Sequence, residues 1–348
     1  MAARAWTSGS GIYDLFDVAA LELYLSENLE GFAGPIEVKA FSEGQSNPTF
    51  LLTTLAKKYV LRKKPPGVLL KSAHAVDREY RVQRALWGSD VPVAKVLHLC
   101  EDESVIGTIF YVMDFSEGRI FWDPALLEMT QGERAEIYDE MNRVLAAIHN
   151  VDLEKTELTT FGRSSNYFAR QLKRWSSQFK DSETEPMPEM DDLIDWLTEN
   201  LPDDDGQVTL VHGDYRIDNL MFAKDSLKIV AVFDWELSTL GHPLADLAYQ
   251  IMQRSMGRDW HLQGLAGLDW QSLGIPSEQA YIETYCKRRN LDELNNWAYA
   301  KIFAFFRFAA ICQGVKKRAL DGNAASPDAL RVGEMAKPLA KIGAGLIR

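Results

Sequence analysis

The chain has 348 residues, of which 46% are hydrophobic and 25% charged, an ordinary composition for a globular protein with one large domain or two smaller ones. The formal net charge of −12 argues against a nucleic-acid-binding protein, because phosphate backbones are held by clustered lysine and arginine. The three cysteines (Cys100, Cys286 and Cys312) are far apart and lack C-x-x-C spacing, so neither a zinc site nor a disulfide framework is expected.

The first part of the chain is predicted to be rich in β-strands. A helix is predicted over Val18–Asn28 and a second over His74–Trp87. Turn-like segments at Ser42–Pro48 and Leu55–Lys58 divide three apolar runs, which is the pattern of an antiparallel meander. The predicted strands are Ile36–Phe41, Thr49–Thr54, Tyr59–Arg62, Lys95–Cys100 and Ile109–Met113.

The second part is predicted to be mainly helical. Apolar residues recur at helical spacing over Glu133–His149, a further helix is predicted over Asn166–Lys180, and the residues from Leu244 onward are predicted to be mainly helical. The acidic, proline-bearing segment at 181–192 is predicted to be a solvated loop. Two short strands are predicted, at Val208–His212 and Ile229–Phe233.

The most apolar stretch of the chain is Ile302–Cys312. It is interrupted by Arg307 and is shorter than the roughly 20 residues of a membrane span, so we interpret it as a buried helix. The N-terminus lacks the continuous apolar core of a secretory signal. Together with the cysteine usage, these features predict a soluble protein in the reducing cytoplasm, without membrane or nucleic-acid partners.

The residues with the clearest chemical signal lie in HGDYRIDN (residues 212–219) and VFDWE (residues 232–236). Phosphoryl transfer needs an acceptor for the hydroxyl proton and hard oxygen ligands for the magnesium ion on the triphosphate. We therefore assign Asp214 as catalytic base, and Asn219 and Asp234 as magnesium ligands. The alternative is that these are ordinary turn and capping residues, although a strand–loop–strand context with all three present favours the phosphoryl-transfer site.

The spacing of these residues matches the H-R-D-x-x-x-x-N and D-F-G motifs of protein kinases, with glycine in place of the arginine and D-W-E as the second motif. HGDYRIDNLMF and VFDWELSTLGHPLADLAY resemble the aminoglycoside phosphotransferase and choline kinase superfamily. Within that superfamily, the chain resembles the kinase-like domains that are related to those preceding some acyl-CoA dehydrogenases. The segments that carry this resemblance are LRKKPPG, DREYRV and NYFARQLKRW. The resemblance runs from about Phe41 to about Gly314 and implies a protein-kinase-like fold that binds a nucleoside triphosphate, ATP or GTP.

Gly213 bears on the kind of acceptor. In many protein kinases the arginine at this place receives a phosphorylated activation loop, which orders the site. Glycine removes that control, and no A-P-E segment follows Asp234. Both features favour a small-molecule acceptor over a protein substrate.

Arg216 lies two residues after the predicted base. We assign it a catalytic role in stabilising charge on the transferred phosphoryl group, while a structural ion pair with Asp218 or Glu236 is the alternative. His212 is interpreted as a packed core residue. Asp246 is interpreted as a helix cap or structural acceptor.

Arg62 ends a predicted strand, in phase with the V-A-I-K lysine that holds the nucleotide phosphates in kinases. Its partner is predicted to be Glu79, beside the apolar stripe of the helix that follows. Lys63 is the alternative phosphate ligand, but adjacent strand residues face opposite sides, so only one of the two faces the nucleotide. A further alternative is that these are solvated charges.

Two other segments are predicted to contact the nucleotide. The loop before the Arg62 strand offers close backbone approach and hydrogen bonds to phosphate, through Gly44, Ser46 and Asn47. The resemblance implies a hinge that meets the adenine at the end of the first part of the chain. The hinge candidates are the backbone groups of Asp114 and Phe115, with Met113 packed near the base.

The helix predicted at Asn166–Lys180 has an apolar face and an opposite cationic face that carries Arg170, Lys173 and Arg174. The resemblance implies that this region receives a polycationic sugar in aminoglycoside kinases, where acidic residues are expected. A basic face suits an anionic acceptor instead, such as a hydroxy acid or its coenzyme A thioester. The alternative is a solvated charged face.

The sequence therefore predicts an α+β, protein-kinase-like, two-lobed protein. Residues 1–115 are predicted to form an antiparallel-sheet N-lobe with the phosphate loop and hinge, and residues 116–348 a mainly helical C-lobe with the catalytic and metal-binding loops. The predicted function is magnesium-dependent transfer of the γ-phosphoryl group of ATP or GTP to a hydroxyl of a small metabolite. The alternatives are a nucleotide-binding pseudokinase or regulatory module, an aminoglycoside-type kinase and, disfavoured, a protein kinase.

Overall fold

The structure, a computed structural model, describes residues 6–7, 16–41, 47–65, 75–323 and 327–347. Gly44 and Ser46, which were predicted to bind phosphate, lie outside the described residues, as does His74 at the predicted start of a helix. The chain divides into two compact units. Unit 1 comprises the described residues up to Gly118 together with Val230–Glu236, and unit 2 comprises Arg119–Ile229 with the described residues from Leu237 onward.

Unit 1 is built on a six-stranded antiparallel sheet with strand order β1-β2-β3-β4-β6-β5. Its helices lie close to the positions that the apolar periodicity predicts. The elements are β1 (Trp6–Thr7), α1 (Val18–Asn28), β2 (Glu37–Phe41), β3 (Thr49–Thr53), β4 (Lys58–Lys63), α2 (Val76–Leu86), β5 (Val96–Cys100) and β6 (Phe110–Asp114).

Alternation along β4 distributes its side chains between two apolar clusters. Leu61 belongs to the cluster that contains Leu21 and Leu25 of α1, whereas Val60 belongs to the cluster that contains Val76 of α2. Because successive strand residues point to opposite faces, Arg62 shares the face of Val60 and α2. This alternation determines which of the two adjacent cations can reach α2.

Unit 2 is mainly helical, with two short antiparallel strand pairs, β7 with β9 and β8 with β11. The α+β class predicted from the sequence is confirmed by a sheet in the N-terminal region and helices in the C-terminal region. The remaining elements of the chain are β7 (Arg119–Ile120), α3 (Gln131–His149), α4 (Tyr167–Ser182), α5 (Pro188–Glu199), β8 (Thr209–Val211), β9 (Leu220–Phe222), β10 (Ile229–Val232), β11 (Thr239–Gly241), α6 (Leu244–Met252), α7 (Trp270–Leu273), α8 (Glu278–Arg289), α9 (Trp297–Leu320), α10 (Ala329–Gly333) and α11 (Ala336–Gly345).

The acidic segment at 181–192 is not a loop throughout. Helix α4 extends to Ser182 and α5 begins at Pro188, so the loop prediction is wrong at both ends and correct for residues 183–187. Helix α5 begins at Pro188, where the missing N–H and fixed φ of proline suit the first turn. Acidic side chains in that turn also interact favourably with the helix dipole. Met190, Leu193 and Leu197 then bury one face of the helix. The acidic stretch by itself does not indicate this helix, because most of the apolar residues that form its buried face lie beyond residue 192.

Helix α9 is the apolar centre of unit 2 and packs against α4, α6, α10 and α11. It contains the predicted buried run Ile302–Cys312. Among the described residues it is the one helix long and apolar enough to cross a membrane, but 72% of its most apolar window is buried inside the protein. Burial of this kind is typical of a core helix.

Candidate active site

The HGDYRIDN segment forms a tight loop in unit 2 between β8 and β9, and it brings Asp214 and Asn219 together. Asn219 Nδ2 donates to the backbone carbonyl of Asp214 at 2.9 Å and to its Oδ2 at 3.0 Å. The amide nitrogen of Asn219 is thus held by the loop, which leaves the amide oxygen as the atom that a hard cation would use. Tyr249 donates its hydroxyl to the other carboxylate oxygen, Asp214 Oδ1, at 2.6 Å.

These donors govern the ionisation of Asp214. Burial by itself would raise the pKa of this carboxyl group, but the charge of Arg216 and the hydrogen bonds from Tyr249 and Asn219 outweigh it and hold the pKa below its usual range. Asp214 is therefore an ionised acceptor at neutral pH.

Arg216 bridges two carboxylates of the same loop. Its Nε lies 3.0 Å from Asp214 Oδ1, and its Nη2 lies 3.2 Å from Asp218 Oδ2. Burial would lower the pKa of the guanidinium, but these two carboxylates raise it above its usual range. Within the described part of the chain, the buried Nη1 of Arg216 has no hydrogen-bond partner. The ion pair with Asp218 is present, and one donor of the guanidinium remains for a further anion.

Gly213 is required by the backbone of this loop. Its φ is +87°, which L-residues with a side chain rarely adopt, and a Cβ would lie 2.8 Å from the carbonyl oxygen of Leu237. An arginine could not take this position without displacing the backbone. The departure from the protein-kinase motif therefore has a local steric reason.

Asp246 anchors the start of the loop as a structural acceptor. It is fully buried on α6 and accepts the backbone N–H groups of His212 at 2.6 Å and Gly213 at 2.7 Å. His149 lies 3.3 Å from the same carboxylate and 2.6 Å from the hydroxyl of Tyr285. Burial alone would raise the pKa of Asp246, but His149 and the backbone donors lower it overall. His212 is fully buried, in agreement with its interpretation as a core residue.

In unit 1, Arg62 forms the expected ion pair with Glu79, with Nε 2.7 Å from Oε2. Its Nη2 also lies 3.1 Å from Oδ1 of Asp234. Burial would lower the pKa of Arg62, but Glu79 and Asp234 raise it above its usual range. Lys63 is on the opposite face of β4, where its ammonium lies 5.4 Å from the ring centre of Phe16. Arg62, and not Lys63, is thus the partner of Glu79.

Only 1% of the surface of Glu79 is exposed. Glu79 is therefore more deeply buried than its position beside the apolar stripe of the helix predicted. It accepts hydrogen bonds from Asn47 Nδ2 at 2.6 Å and from the hydroxyl of Tyr111 at 3.2 Å. Burial raises the pKa of Glu79, and the Arg62 guanidinium and the Asn47 amide oppose that rise. The buried side chain of Asn47, predicted to bind phosphate, thus supports the Arg62–Glu79 pair.

Asp234 follows β10 and has a φ of +62°, in the left-handed region. Ligand oxygens of Glu79, Asp234 and Glu236 lie within 4.8 Å of one another, and carboxylate oxygens are the ligand type that a hard divalent cation prefers. The Arg62 guanidinium neutralises part of this negative charge. The segment Val230–Glu236 is held in unit 1 by this ion pair and by the Val232 N–H, which donates to the carbonyl of Pro92 at 2.9 Å.

The hinge candidates lie at the end of β6. The backbone N–H of Asp114 donates to the carbonyl of Lys95 at 2.9 Å, so this N–H is not available to an adenine. The predicted hinge contacts are thereby limited to the carbonyl of Asp114 and the backbone of Phe115. The carboxylate of Asp114 pairs with Lys57 at 2.6 Å. Met113 is buried with 7% exposure in the cluster that lies against α2, and Phe115 packs against that cluster.

Helix α4 buries its predicted apolar face in unit 2, while Arg170 and Arg174 are not fully buried. Arg170 Nη2 donates to the carbonyl of Arg163 at 2.9 Å, and its buried Nη1 has no hydrogen-bond partner among the described residues. The guanidinium of Arg174 lies 5.1 Å from the ring centre of Trp175. Across the described ranges of the chain, neither arginine lies within ion-pair distance of a carboxylate.

Two residues near the loop were not identified from the sequence. Tyr249 contacts Asp214 from α6, and no local pattern distinguishes it from a core tyrosine. Arg307 on α9 is buried, and its Nη2 donates to the carbonyl of Gly213 at 2.9 Å. A charged residue inside an apolar run is a usable signal, because a buried charge needs a polar partner.

Comparisons with known proteins relate the chain to one family. A family model described as the phosphotransferase enzyme family matches residues 37–281. Acyl-CoA dehydrogenase family member 10 of Mus musculus is 44% identical over 325 residues, which cover 93% of this chain but only 30% of that protein.

Solved structures show the same fold. A Ralstonia eutropha JMP134 protein, provisionally described as an aminoglycoside phosphotransferase, is 48% identical and covers 95% of this chain and 98% of its own, with a TM-score of 0.86. A thermostable mutant of aminoglycoside phosphotransferase APH(4)-Ia, in a ternary complex with ADP and hygromycin B, is 16% identical. It covers 94% of this chain and 98% of its own, with a TM-score of 0.59. The kinase-like fold predicted from the sequence is thereby confirmed.

Proposed function

We propose that this chain, which belongs to the phosphotransferase enzyme family, transfers the γ-phosphoryl group of ATP or GTP to a hydroxyl group of a small metabolite. The observation that carries this proposal is the catalytic loop of unit 2. An ionised Asp214 lies hydrogen-bonded to Asn219, and Arg216 pairs with the same carboxylate. An acceptor for a hydroxyl proton, an amide oxygen for a cation and a guanidinium for phosphoryl charge are the parts that this reaction needs.

Asp214 is the proposed base. Its low pKa makes it a weak proton acceptor, but in a loose phosphoryl-transfer transition state the hydroxyl proton leaves late. An acceptor that orients the hydroxyl is then sufficient. Nη1 of Arg216 has no hydrogen-bond partner in the part of the chain that the structure describes, which supports a role toward the equatorial phosphoryl oxygens.

The residues fit a magnesium-dependent nucleotide site. Asn219 would offer its amide oxygen and Asp234 its carboxylate as ligands, and magnesium would neutralise charge on the phosphates. The Arg62–Glu79 pair supports phosphate binding by Arg62, because the buried carboxylate fixes the direction of the guanidinium. ADP is bound by the aminoglycoside phosphotransferase with the same fold, which supports an adenine nucleotide here.

The acceptor is proposed to be anionic, a hydroxy acid or its coenzyme A thioester. Arg170 and Arg174 lack carboxylate partners in the described residues, and a donor of Arg170 is unsatisfied. The chain is similar to acyl-CoA dehydrogenase family member 10 of the mouse and spans about a third of that protein. This likeness also supports an acceptor that carries a carboxylate or a coenzyme A group. An aminoglycoside acceptor is cationic and would be repelled by these arginines.

The test of the function is phosphate transfer from γ-labelled ATP to a panel of hydroxylated metabolites, with and without a carboxylate or coenzyme A group. We expect magnesium-dependent transfer by the wild-type protein. Asp214→Asn should lose roughly 10²–10⁴-fold in rate and keep its nucleotide affinity. Asp225→Asn, an exposed acid in the turn after β9, is the matched control and should retain full activity.

Two results would contradict the proposal. Nucleotide binding without transfer to any acceptor would favour a pseudokinase or regulatory module, and full activity of the Asp214 variant would remove its role as base.

The acceptor class is tested separately. Arg170→Gln combined with Arg174→Gln should raise the acceptor KM and leave the nucleotide KM unchanged. Lys180→Gln is the control, because it removes a cation of the same helix α4 that pairs with Asp191 of α5. Productive transfer to amino-sugars, and not to anionic alcohols, would contradict this assignment.

A further inference from the structure

The hydroxyl of Tyr249 makes the shortest contact to the proposed base, 2.6 Å from Asp214 Oδ1. Tyr249 is buried on α6, with 3% of its surface exposed. Its ring packs edge to face on Phe308 at 5.5 Å, and the guanidinium of Arg307 lies 5.6 Å from its centre. The place of the hydroxyl is therefore set by the packed core of unit 2.

The other two donors on Asp214 differ in how firmly they are held. Asn219 is fixed to Oδ2 and to the loop backbone by two hydrogen bonds. Arg216 contacts both oxygens, but its one hydrogen bond to Asp214 is long, at 3.3 Å. Its Nη1 has no hydrogen-bond partner among the described atoms.

A carboxylate has about four lone-pair positions, and these contacts approach them all. The hydroxyl group of the substrate that receives the phosphoryl group must donate a hydrogen bond to Asp214. It must therefore take the place of one of the existing hydrogen-bond donors. Arg216 has the poorest geometry toward Asp214 and an unused donor for another anion. It is the donor most readily exchanged, whereas Tyr249 and Asn219 stay.

We propose that Tyr249 is a positioning residue for the proposed base: its hydroxyl holds Asp214 Oδ1 in a fixed direction when Arg216 yields its place to the acceptor hydroxyl. This inference rests on the proposed function. Burial and the neighbouring Asp214 raise the pKa of Tyr249 well above its usual range, so its proton stays on its own oxygen. Tyr249 acts only through Asp214, and the cost of a misdirected carboxylate appears in the transition state.

The first test is Tyr249→Phe, which keeps the packed ring and removes the hydroxyl. We expect kcat to fall about 10- to 100-fold, as for loss of one hydrogen bond to a charged group, with the nucleotide KM within about twofold of wild type. Tyr281→Phe is the matched control, because it removes a buried hydroxyl that donates to Gln250 at 2.8 Å on the same helix α6. The control should lose similar stability and keep its kcat. Equal kcat values for the two variants would overturn the proposal.

The second test is a double-mutant cycle with Asp214→Ala, measured in kcat and in the free energy of unfolding. If Tyr249 acts through Asp214, Tyr249→Phe has no further effect on kcat in the Asp214→Ala background. Additive effects on kcat would overturn the positioning role. If the wild-type protein transfers phosphate to no acceptor, the proposed function fails and the role fails with it. The unfolding cycle then still measures the contact, and additive unfolding energies would refute that contact independently.

Discussion

Asp234 has a left-handed backbone conformation, with a φ of +62°. Aspartate tolerates this region better than most residues, but the conformation costs on the order of 1 kcal/mol and persists only where the surroundings impose it. Here the ion pair to Arg62 accompanies that strain. Strained residues concentrate at functional sites, which agrees with the proposed role of Asp234 as a metal ligand.

Asp234→Ala should weaken magnesium-dependent nucleotide binding more than Asn219→Ala does, because it removes a charged ligand. Calorimetric titration of nucleotide with and without magnesium measures the effect, and the magnesium-free affinity serves as the internal control. Unchanged magnesium dependence in the Asp234 variant would remove it from the metal site.

Arg62→Ala and Glu79→Ala should each raise the nucleotide KM, and their combination should be non-additive, with a coupling of about 0.5–3 kcal/mol. The reason is that a buried guanidinium without its carboxylate loses its fixed direction. Lys63→Ala, on the neighbouring position of β4, should leave the nucleotide KM unchanged. A larger effect at Lys63 than at Arg62 would reverse the assignment.

At the scale of elements, helix α6 supports the HGDYRIDN loop (residues 212–219) through two side chains. Asp246 accepts the N–H groups of His212 and Gly213 at the start of the loop, and Tyr249 one turn later contacts Asp214. Helix residues three apart lie on the same face, which is why both side chains meet one loop. The loop is thus held by long-range contacts from a helix more than 20 residues later in the sequence.

Asp246→Asn should destabilise the protein by about 1–3 kcal/mol at neutral pH, because one amide oxygen cannot satisfy both buried backbone donors. The pKa of Asp246 is depressed in the folded protein, so its stabilising contribution is present above the unfolded pKa of about 3.9 and is lost as pH falls through the folded value. Denaturant unfolding should therefore show a difference between variant and wild type that is full at pH 7 and shrinks below about pH 4. A difference that grew on acidification would contradict the assignment.

At the scale of the whole chain, each unit has its own apolar centre. Unit 1 buries both faces of β4 and β6 between α1 and α2, and unit 2 is organised around α9. The segment Val230–Glu236 leaves unit 2 in sequence, contributes Asp234 to unit 1 and returns at Leu237.

Phe306→Ala should destabilise unit 2 by roughly 3–5 kcal/mol, because the fully buried ring on α9 leaves a cavity in a densely packed core. Leu320→Ala, at the exposed end of the same helix with 59% exposure, should change stability by less than about 0.5 kcal/mol. Thermal or denaturant unfolding distinguishes the two variants. Similar losses for both would show that α9 is not the core of its unit.

The sequence by itself determined the elements whose signals are local. The period of apolar residues predicted helix α1 at Val18–Asn28, and strand alternation predicted that only one of Arg62 and Lys63 faces the nucleotide. The contact with Glu79 in the structure identified Arg62 as the partner. The spacing of Asp214 and Asn219 predicted that they lie together, because both belong to one short loop. Their chemical roles remain predictions.

Only the tertiary structure decided which distant residues contact the predicted site residues and the loop that holds them. Tyr249 meets Asp214 across 35 residues, and Arg307 meets Gly213 across 94 residues. It also decided that Asn47 donates to Glu79, 32 residues away. A buried tyrosine, arginine or asparagine looks the same in sequence whichever acceptor it finds, since its partner is set by how helices and strands pack.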